Sequence, residues 1–248
     1  EPGGLFVSHD CGQDWQPARA LNDHPTAATW SRAGGPLALH SIVVHARAPE
    51  RIACAISAGG CYRSDDAGQS WRPINRNLRA EFLPQLFPES GQCRHKLLAH
   101  PARPDRLYQQ NHCGVYRSDD FGDNWIEITS NLPTDYGYGL TLDPHDPETA
   151  FVIPEESSHM RTTADAKLRV YRTTDAGLSW HSRSRGLPQE NVYQSILREG
   201  LTSDTLDPCG VYFGTSGGHV FASRHRGESW ESVAGFLPRV LSIAVVVL

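Results

Sequence analysis

No run of apolar residues in this 248-residue chain approaches the roughly 18 that a membrane-spanning helix requires. The longest such run, residues 244–248, is strand-sized. No Lys/Arg-rich run and no basic helix occurs, and the formal charge is −5. Together these argue against a nucleic-acid or membrane-surface partner. No Cys-x-x-Cys pair occurs among the six cysteines, which argues against zinc ribbons and fingers. No segment sustains helical periodicity, which argues against a helical bundle. The chain opens on Glu1-Pro2 without an initiator Met or a signal peptide. With no disulfide framework, a reducing, cytoplasmic setting is the expected compartment.

What the sequence does contain is a repeat. Five segments, 8–15, 64–71, 118–125, 173–180 and 223–230, align on the pattern Ser/Thr-x-Asp-x-Gly-x-x-Trp, the first four matching it in full. Their tryptophans, Trp15, Trp71, Trp125, Trp180 and Trp230, are spaced by 56, 54, 55 and 50 residues. The short polar side chains suit closure of a tight turn on nearby backbone N–H groups. The glycine supplies a left-handed conformation, and the Trp opens the next strand with a large ring to bury. The fifth segment departs from the pattern, with His225 in the Asp position, so its turn is expected to be weaker or held differently.

Around each segment the strands recur. The third repeat predicts strands at 97–100, 107–109, 115–118 and 125–128, with a turn at 101–104. The second predicts 42–45, 52–56, 61–64 and 71–74. The fourth predicts 140–142, 150–153, 170–173 and 180 onward. The fifth predicts 193–197, 210–214, 219–223 and 230–233. Short strands at even spacing with Pro/Gly turns are the mark of a propeller. Residues 5–18 supply two strands of a further blade, and 240–247 a first strand. The expectation is an all-β chain, a β-propeller of four-stranded blades with four full blades and a partial blade at each end. One domain over 1–248 is expected, N-terminally incomplete and belonging to a six- or seven-bladed propeller.

The repeated segment resembles the Asp-box, or BNR repeat, of bacterial sialidases, sortilin-type receptors, photosystem-assembly propellers and related glycosidases. Residues 107–118, 186–190 and 210–215 are similar to bacterial BNR-repeat proteins labelled glycosyl hydrolase or exo-α-sialidase-like. The resemblance implies that the box aspartates Asp10, Asp66, Asp120 and Asp175 are structural. It also implies that a ligand site lies on the opposite face, around the axis. The sialidases carry an Arg-Ile-Pro motif and three arginines that grip a carboxylate. Here Val152 stands in the Arg position, and Arg79, Arg94 and Arg161 are scattered candidates.

The site-face loops are expected at 16–40, 76–96, 129–139, 184–192 and 234–239 between blades. Those within blades are expected at 57–60, 109–114, 154–169 and 214–218. Excess loop length commonly carries function. The candidate ligand-binding residues are His40, His95, Lys96, Asn111, His112, Tyr136 and Tyr193. Trp30, Tyr136 and Tyr138 are candidate sugar platforms. Glu155 and Glu156 are candidate catalytic carboxylates, since neighbouring carboxylates raise each other's pKa; Asp135, Asp23 or Glu190 is the expected partner across the bond, as glycoside hydrolysis requires two such groups.

Cys93, His95, His112 and Cys113 share one blade. Cys93 and His95 alternate as neighbours on opposite strand faces do, and adjacent His112 and Cys113 rarely ligate one ion. No metal and no other cofactor is therefore expected, and a Cys93–Cys113 disulfide is the minority alternative. The functional expectation is a monomeric propeller that binds a glycan, peptide or protein. The alternative is a glycoside hydrolase using a pair of site-face carboxylates.

Overall fold

The computed structural model describes residues 4–30 and 37–247. A two-stranded piece, β1 (Phe6–Val7) and β2 (Gln16–Pro17), is followed by a single helical turn, α1 (Arg19–Asn22). Four four-stranded sheets follow. They are β3 (Leu39–Val44), β4 (Ile52–Ile56), β5 (Gly60–Ser64) and β6 (Arg72–Pro73); then β7 (Arg94–His100), β8 (Arg103–Asn111), β9 (Gly114–Ser118) and β10 (Ile126–Glu127). Next come β11 (Gly137–Leu142), β12 (Ala150–Pro154), β13 (Val170–Thr173) and β14 (His181–Arg183); then β15 (Leu201–Ser203), β16 (Val211–Gly214), β17 (Val220–Ser223) and β18 (Glu231–Ala234). Each sheet is an antiparallel meander in sequence order. The first strands β3, β7, β11 and β15 pack side by side, which makes them the inner strands of consecutive propeller blades.

The box turns do what their chemistry predicts. In the second box the Ser64 hydroxyl accepts the Gly68 N–H at 2.7 Å and donates to the Asp66 carboxylate at 2.8 Å. Asp66 also accepts the N–H and the hydroxyl of Ser70 at 2.9 and 2.6 Å. The Ser70 hydroxyl, more than any other group, pulls the Asp66 carboxyl down to about 2. Two successive residues are left-handed in each box: Phe121 at φ +56° and Gly122 at φ +96° in the third. Gly122 has a second reason to be glycine. A Cβ there would lie 2.5 Å from Ile74 Cδ1 of the preceding blade. In the fifth box His225 takes the Asp place, with Ser223 at 3.2 Å and Ser229 at 3.3 Å. The bond from the carboxylate to the seventh residue's N–H, present in the other four boxes, has no counterpart there. The turn is held differently, as the substitution implied.

Consecutive blades are locked by two repeated contacts. The indole N–H of Trp125, Trp180 and Trp230 donates to Ile74, Ile128 and Arg183 carbonyls of the blade before, at 2.8, 2.6 and 2.9 Å. In the other direction the Arg just before the second, third and fourth boxes reaches the next blade's box turn. Arg63, Arg117 and Arg172 donate to the carbonyls of Phe121, Ala176 and Arg226 at 3.2, 2.7 and 2.7 Å. The apolar clusters accordingly lie between sheets, not within them. One joins Val43, Ala53 and Ile74 to Leu97, Phe121 and Trp125; another joins Val115 and Ile128 to Leu140, Val152 and Trp180.

Two strand expectations need correction. Residues 193–197 are not a strand; β15 begins later, at Leu201. The Ser195 and Ile196 N–H groups donate to the side chains of Ser216 and Glu155, so no ladder can form there. Residues 240–247 also form no strand. They run past the fourth full blade with an isolated parallel bridge, Ser242 to Glu199. The turn expected at 101–104 is shorter, because β8 starts at Arg103.

Two stability outcomes follow. Trp180 is 2% exposed and Trp15 62%, so Trp180→Ala should cost about 3–5 kcal/mol and Trp15→Ala well under about 1 kcal/mol. His225→Asp should gain about 0.5–1 kcal/mol by restoring the bond to the Ser229 N–H. Urea unfolding midpoints at constant slope check both; a stabilising effect absent from His225→Asp would show that the imidazole closes the turn as well as the carboxylate does.

Candidate functional site

In an antiparallel blade the start of strand one, the end of strand two and the start of strand three share one edge. The box, between strands three and four, sits at the other. A cavity of about 670 Å³ opens on the edge away from the boxes. Its wall comes from every full blade: Ser57, Cys93 and His95, then His112, Tyr136 and Tyr138, then Arg161, Arg198, Ser216 and Arg239. The convergence follows from the inner strands, whose first residues all point to the axis end.

The inner strands are tied by histidines. His40 donates from Nε2 to the Arg94 carbonyl of the next blade at 2.8 Å, and His95 donates from Nδ1 to the Gly137 carbonyl at 2.6 Å. Burial, with Arg198 adding to it, lowers the His40 pKa to about 3. His95 is lowered strongly by the same burial, and His112 more mildly, again first by burial. All three imidazoles are therefore neutral near pH 7. The His95 ring stacks on Tyr138 at 4.4 Å between centroids. Tyr138 Oη lies 2.5 Å from Tyr136 Oη, and the Arg198 guanidinium sits 5.2 Å over the Tyr138 ring. A ring so placed steadies the guanidinium while leaving its N–H groups for a ligand.

Of the candidates read from the sequence, His95, His112 and Tyr136 line this cavity. Lys96 instead pairs with Glu199 of the fourth full blade. Asn111 is buried and spends its amide on the Arg79 carbonyl and the His112 N–H. Tyr193 is 66% exposed and stands outside the cavity wall. Trp30 donates to Tyr62 Oη at 2.7 Å, a packing contact between the N-terminal piece and the first full blade. Residues 31–36 of the 16–40 loop lie outside the described residues.

Glu155 separates from the other two carboxylates. Glu155 is buried, its Oε1 accepting the Ser195 hydroxyl at 2.5 Å and the Ile196 N–H at 3.1 Å. Desolvation raises its pKa to about 7 despite those bonds. Glu156 is exposed and accepts the Asp165 N–H at 3.1 Å. With Asp135 it lines a second, outer hollow of about 310 Å³, beside Phe82, His112 and Tyr136. Asp135 there lies 3.5 Å from Arg79. Glu155 belongs to neither lining.

Sequence reasoning missed Arg198 and Arg239. Arg198 falls just beyond a stretch expected as strand, which the Glu155 and Ser216 bonds hold as a loop; Arg239 ends the expected 234–239 loop. Of the scattered arginines, Arg94 is fully buried against Asn75 and Gln109. Arg79 pairs with Glu127, and only Arg161 reaches the cavity. Cys93 and Cys113 are both free thiols, the first in the axial cavity and the second in the outer hollow. The supposition that Cys93 and His95 point apart is also corrected. Two residues apart in extended chain is one full pleat period, so both side chains share a face, and Cys93 Sγ lies 3.6 Å from His95 Nε2.

Residues 115–128, spanning the third box, match the family model described as BNR-Asp box repeat. The chain forms consecutive four-stranded β-propeller blades, and its third box matches the BNR-Asp box repeat. A xyloglucanase from Paenibacillus sp. is 22% identical over 213 residues, which is 77% of this chain and 19% of that protein. Among solved structures, the GH74 xyloglucanase from Xanthomonas campestris superposes with a TM-score of 0.60 at 13% identity, covering 93% of this chain and 34% of that one. An ancestral GH74 enzyme gives 0.59 at 17% identity, over 80% and 24%. YCF48 from Cyanidioschyzon merolae gives 0.52 at 17%, over 78% and 55%. At these identities the likeness is one of fold, and the chain spans only part of each relative's length. Among the described residues no helix is long and apolar enough to cross a membrane.

The pH dependence of stability tests the Glu155 environment. Its folded pKa, about 7, exceeds the ordinary 4.5, so between these values the folded chain holds a proton the unfolded chain has lost. Stability from this group is full below about 4.5, falls as pH rises to about 7, and is flat above. The buried, neutral His40 works oppositely, weakening the fold as pH drops below 6.5 towards about 3. The difference between the chain and Glu155→Gln isolates the carboxyl: the variant should gain relative stability by up to about 3 kcal/mol between pH 5 and 7.5. A pH-independent difference would show the carboxyl to be ionised throughout.

Proposed function

We propose that this chain is a binding propeller whose axial cavity takes an anionic group of a glycan or peptide. The observation that carries the reading is the set Arg161, Arg198 and Arg239 on one cavity wall. Among the described residues none of the three has a carboxylate partner within ion-pair distance. Desolvation raises the buried Glu155 carboxyl to about 7, so near pH 7 it offsets at most part of one of the three charges. Guanidinium groups present planar, paired donors suited to carboxylate or phosphate. The neutral imidazoles and the serines Ser57, Ser195 and Ser216 supply further donors and acceptors around them.

A second reading, glycoside hydrolysis, is favoured by one arrangement. Asp135 and Glu156 line the same outer hollow beside the aromatic rings of Phe82 and Tyr136, and the xyloglucanases share the fold. Against it, Arg79 and the Asp165 N–H already engage these carboxylates.

Titration calorimetry with acidic oligosaccharides, carboxylate-bearing peptides and neutral xyloglucan oligosaccharides separates the readings. The acidic ligands should bind, and Arg198→Ala or Arg161→Ala should weaken them roughly 10- to 100-fold. Equal binding of neutral glucans, with arginine variants unaffected, would sink the anion reading. Turnover of any glycoside that Asp135→Asn or Glu156→Gln removes would establish the hydrolase instead.

A further inference from the structure

The geometry points to a zinc site formed by Cys93, His95 and His112, with its fourth coordination position open to the axial cavity. The candidate donor atoms of these three residues all lie within 4.8 Å of one another. The tightest pair, Cys93 Sγ and His95 Nε2, is 3.6 Å apart. A tetrahedral zinc ion with Zn–S of about 2.3 Å and Zn–N of about 2.0–2.1 Å sets its sulfur and nitrogen ligands about 3.6 Å apart. This pair therefore already stands at ligand spacing, and the His112 donor atom lies within 4.8 Å of both.

The supporting contacts also favour a metal. His95 gives its Nδ1 proton to the Gly137 carbonyl at 2.6 Å, which leaves the Nε2 lone pair directed at the Cys93 side. A histidine ligand is commonly oriented by such a backbone acceptor. The His112 N–H donates to the Cys93 carbonyl at 3.0 Å and to Asn111 Oδ1 at 2.7 Å. The turn carrying His112 is thereby fastened to the residue whose sulfur it would share. The His112 ring is wedged edge-on against Phe82 and Tyr136. Asn111, read from the sequence as a ligand contact, has this positioning role.

The ligand set has the form of an open site: three protein ligands and a vacant fourth position, where structural zinc sites use four. The arginines across the cavity oppose a bare divalent cation. A thiolate ligand offsets one charge, and an anion or hydroxide in the fourth position offsets another. On binding, the Cys93 thiol proton passes to solvent and no oxidation occurs. The site stands whether or not the cavity's ligand proves to be anionic.

The test uses the full chain, stripped with chelator, reloaded with zinc chloride, desalted and measured by elemental mass spectrometry. One zinc per chain is expected. Cys93→Ser and His112→Ala should each lower affinity at least 10-fold while keeping the circular dichroism of the folded chain. Cys11→Ser, which removes the exposed thiol, should retain full stoichiometry. Cobalt substitution should give tetrahedral-intensity visible bands with a thiolate charge-transfer band that Cys93→Ser abolishes. Folded chain that retains no zinc, or retention equal in the Cys93 and His112 variants, would overturn the site.

Discussion

Each blade depends on the reciprocal lock between neighbours. A four-residue strand buried on both sides has no core of its own; its apolar residues need the next sheet. The box Trp supplies that contact backward, indole N–H into the preceding blade's carbonyl, and the Arg before the box supplies it forward. Both residues flank one tight turn, so the geometry of that turn sets the pitch between sheets. This is why a motif of eight residues governs the apolar core into which it sets its Trp. It is also why Gly122 is restricted twice, by its left-handed backbone and by the Ile74 side chain.

The same stacking produces the axial cavity. Inner strands brought side by side present their first residues at one end, and polar side chains crowd there. Many are spent on holding the axis: His40 on a neighbouring carbonyl, Lys96 on Glu199, Asn111 on the Arg79 and His112 backbone. What is left over is chemically distinctive. Three guanidinium groups face a cavity beside neutral imidazoles and a thiol, and desolvation raises the pKa of the buried Glu155 carboxyl near them to about 7. An unpaired positive wall costs free energy in the empty protein, and a ligand that supplies the counter-charge recovers it. The proposed binding role follows from this unpaired wall, whereas Asp135 and Glu156, which share the outer hollow, are already engaged by Arg79 and the Asp165 N–H.

Legibility from the sequence varied with the range of the interaction. The box turns were readable because every bond in them spans four residues or fewer, and residue type alone selects them. The central strands were readable because they continue directly from the box. The first strand of the last full blade was misplaced because residues 193–197 have strand-like composition, yet Glu155 and Ser216 take their N–H groups from some distance along the chain. That displacement hid Arg198 from view. Cys93 and His95 were separable only by the two-residue period of extended chain, and a misreading of that period set aside a pair that the fold brings together.

By itself the sequence determined the repeat, the turn chemistry and the all-β class, since these rest on local bonding and on strand direction. Only the tertiary structure decided which of the many polar loop residues meet. His95 and His112 meet Cys93 because a hairpin folds back by one register step; Arg161, Arg198 and Arg239 meet because three successive blades close on one axis. Glu155, the most enzyme-like residue in the sequence, turned inward because Ser195 and Ile196 offered it donors there. Such choices depend on contacts outside the local turn, from one hairpin for Cys93 and His112 to 41 residues for Glu155 and Ile196, where packing geometry and desolvation outweigh any preference carried by residue type.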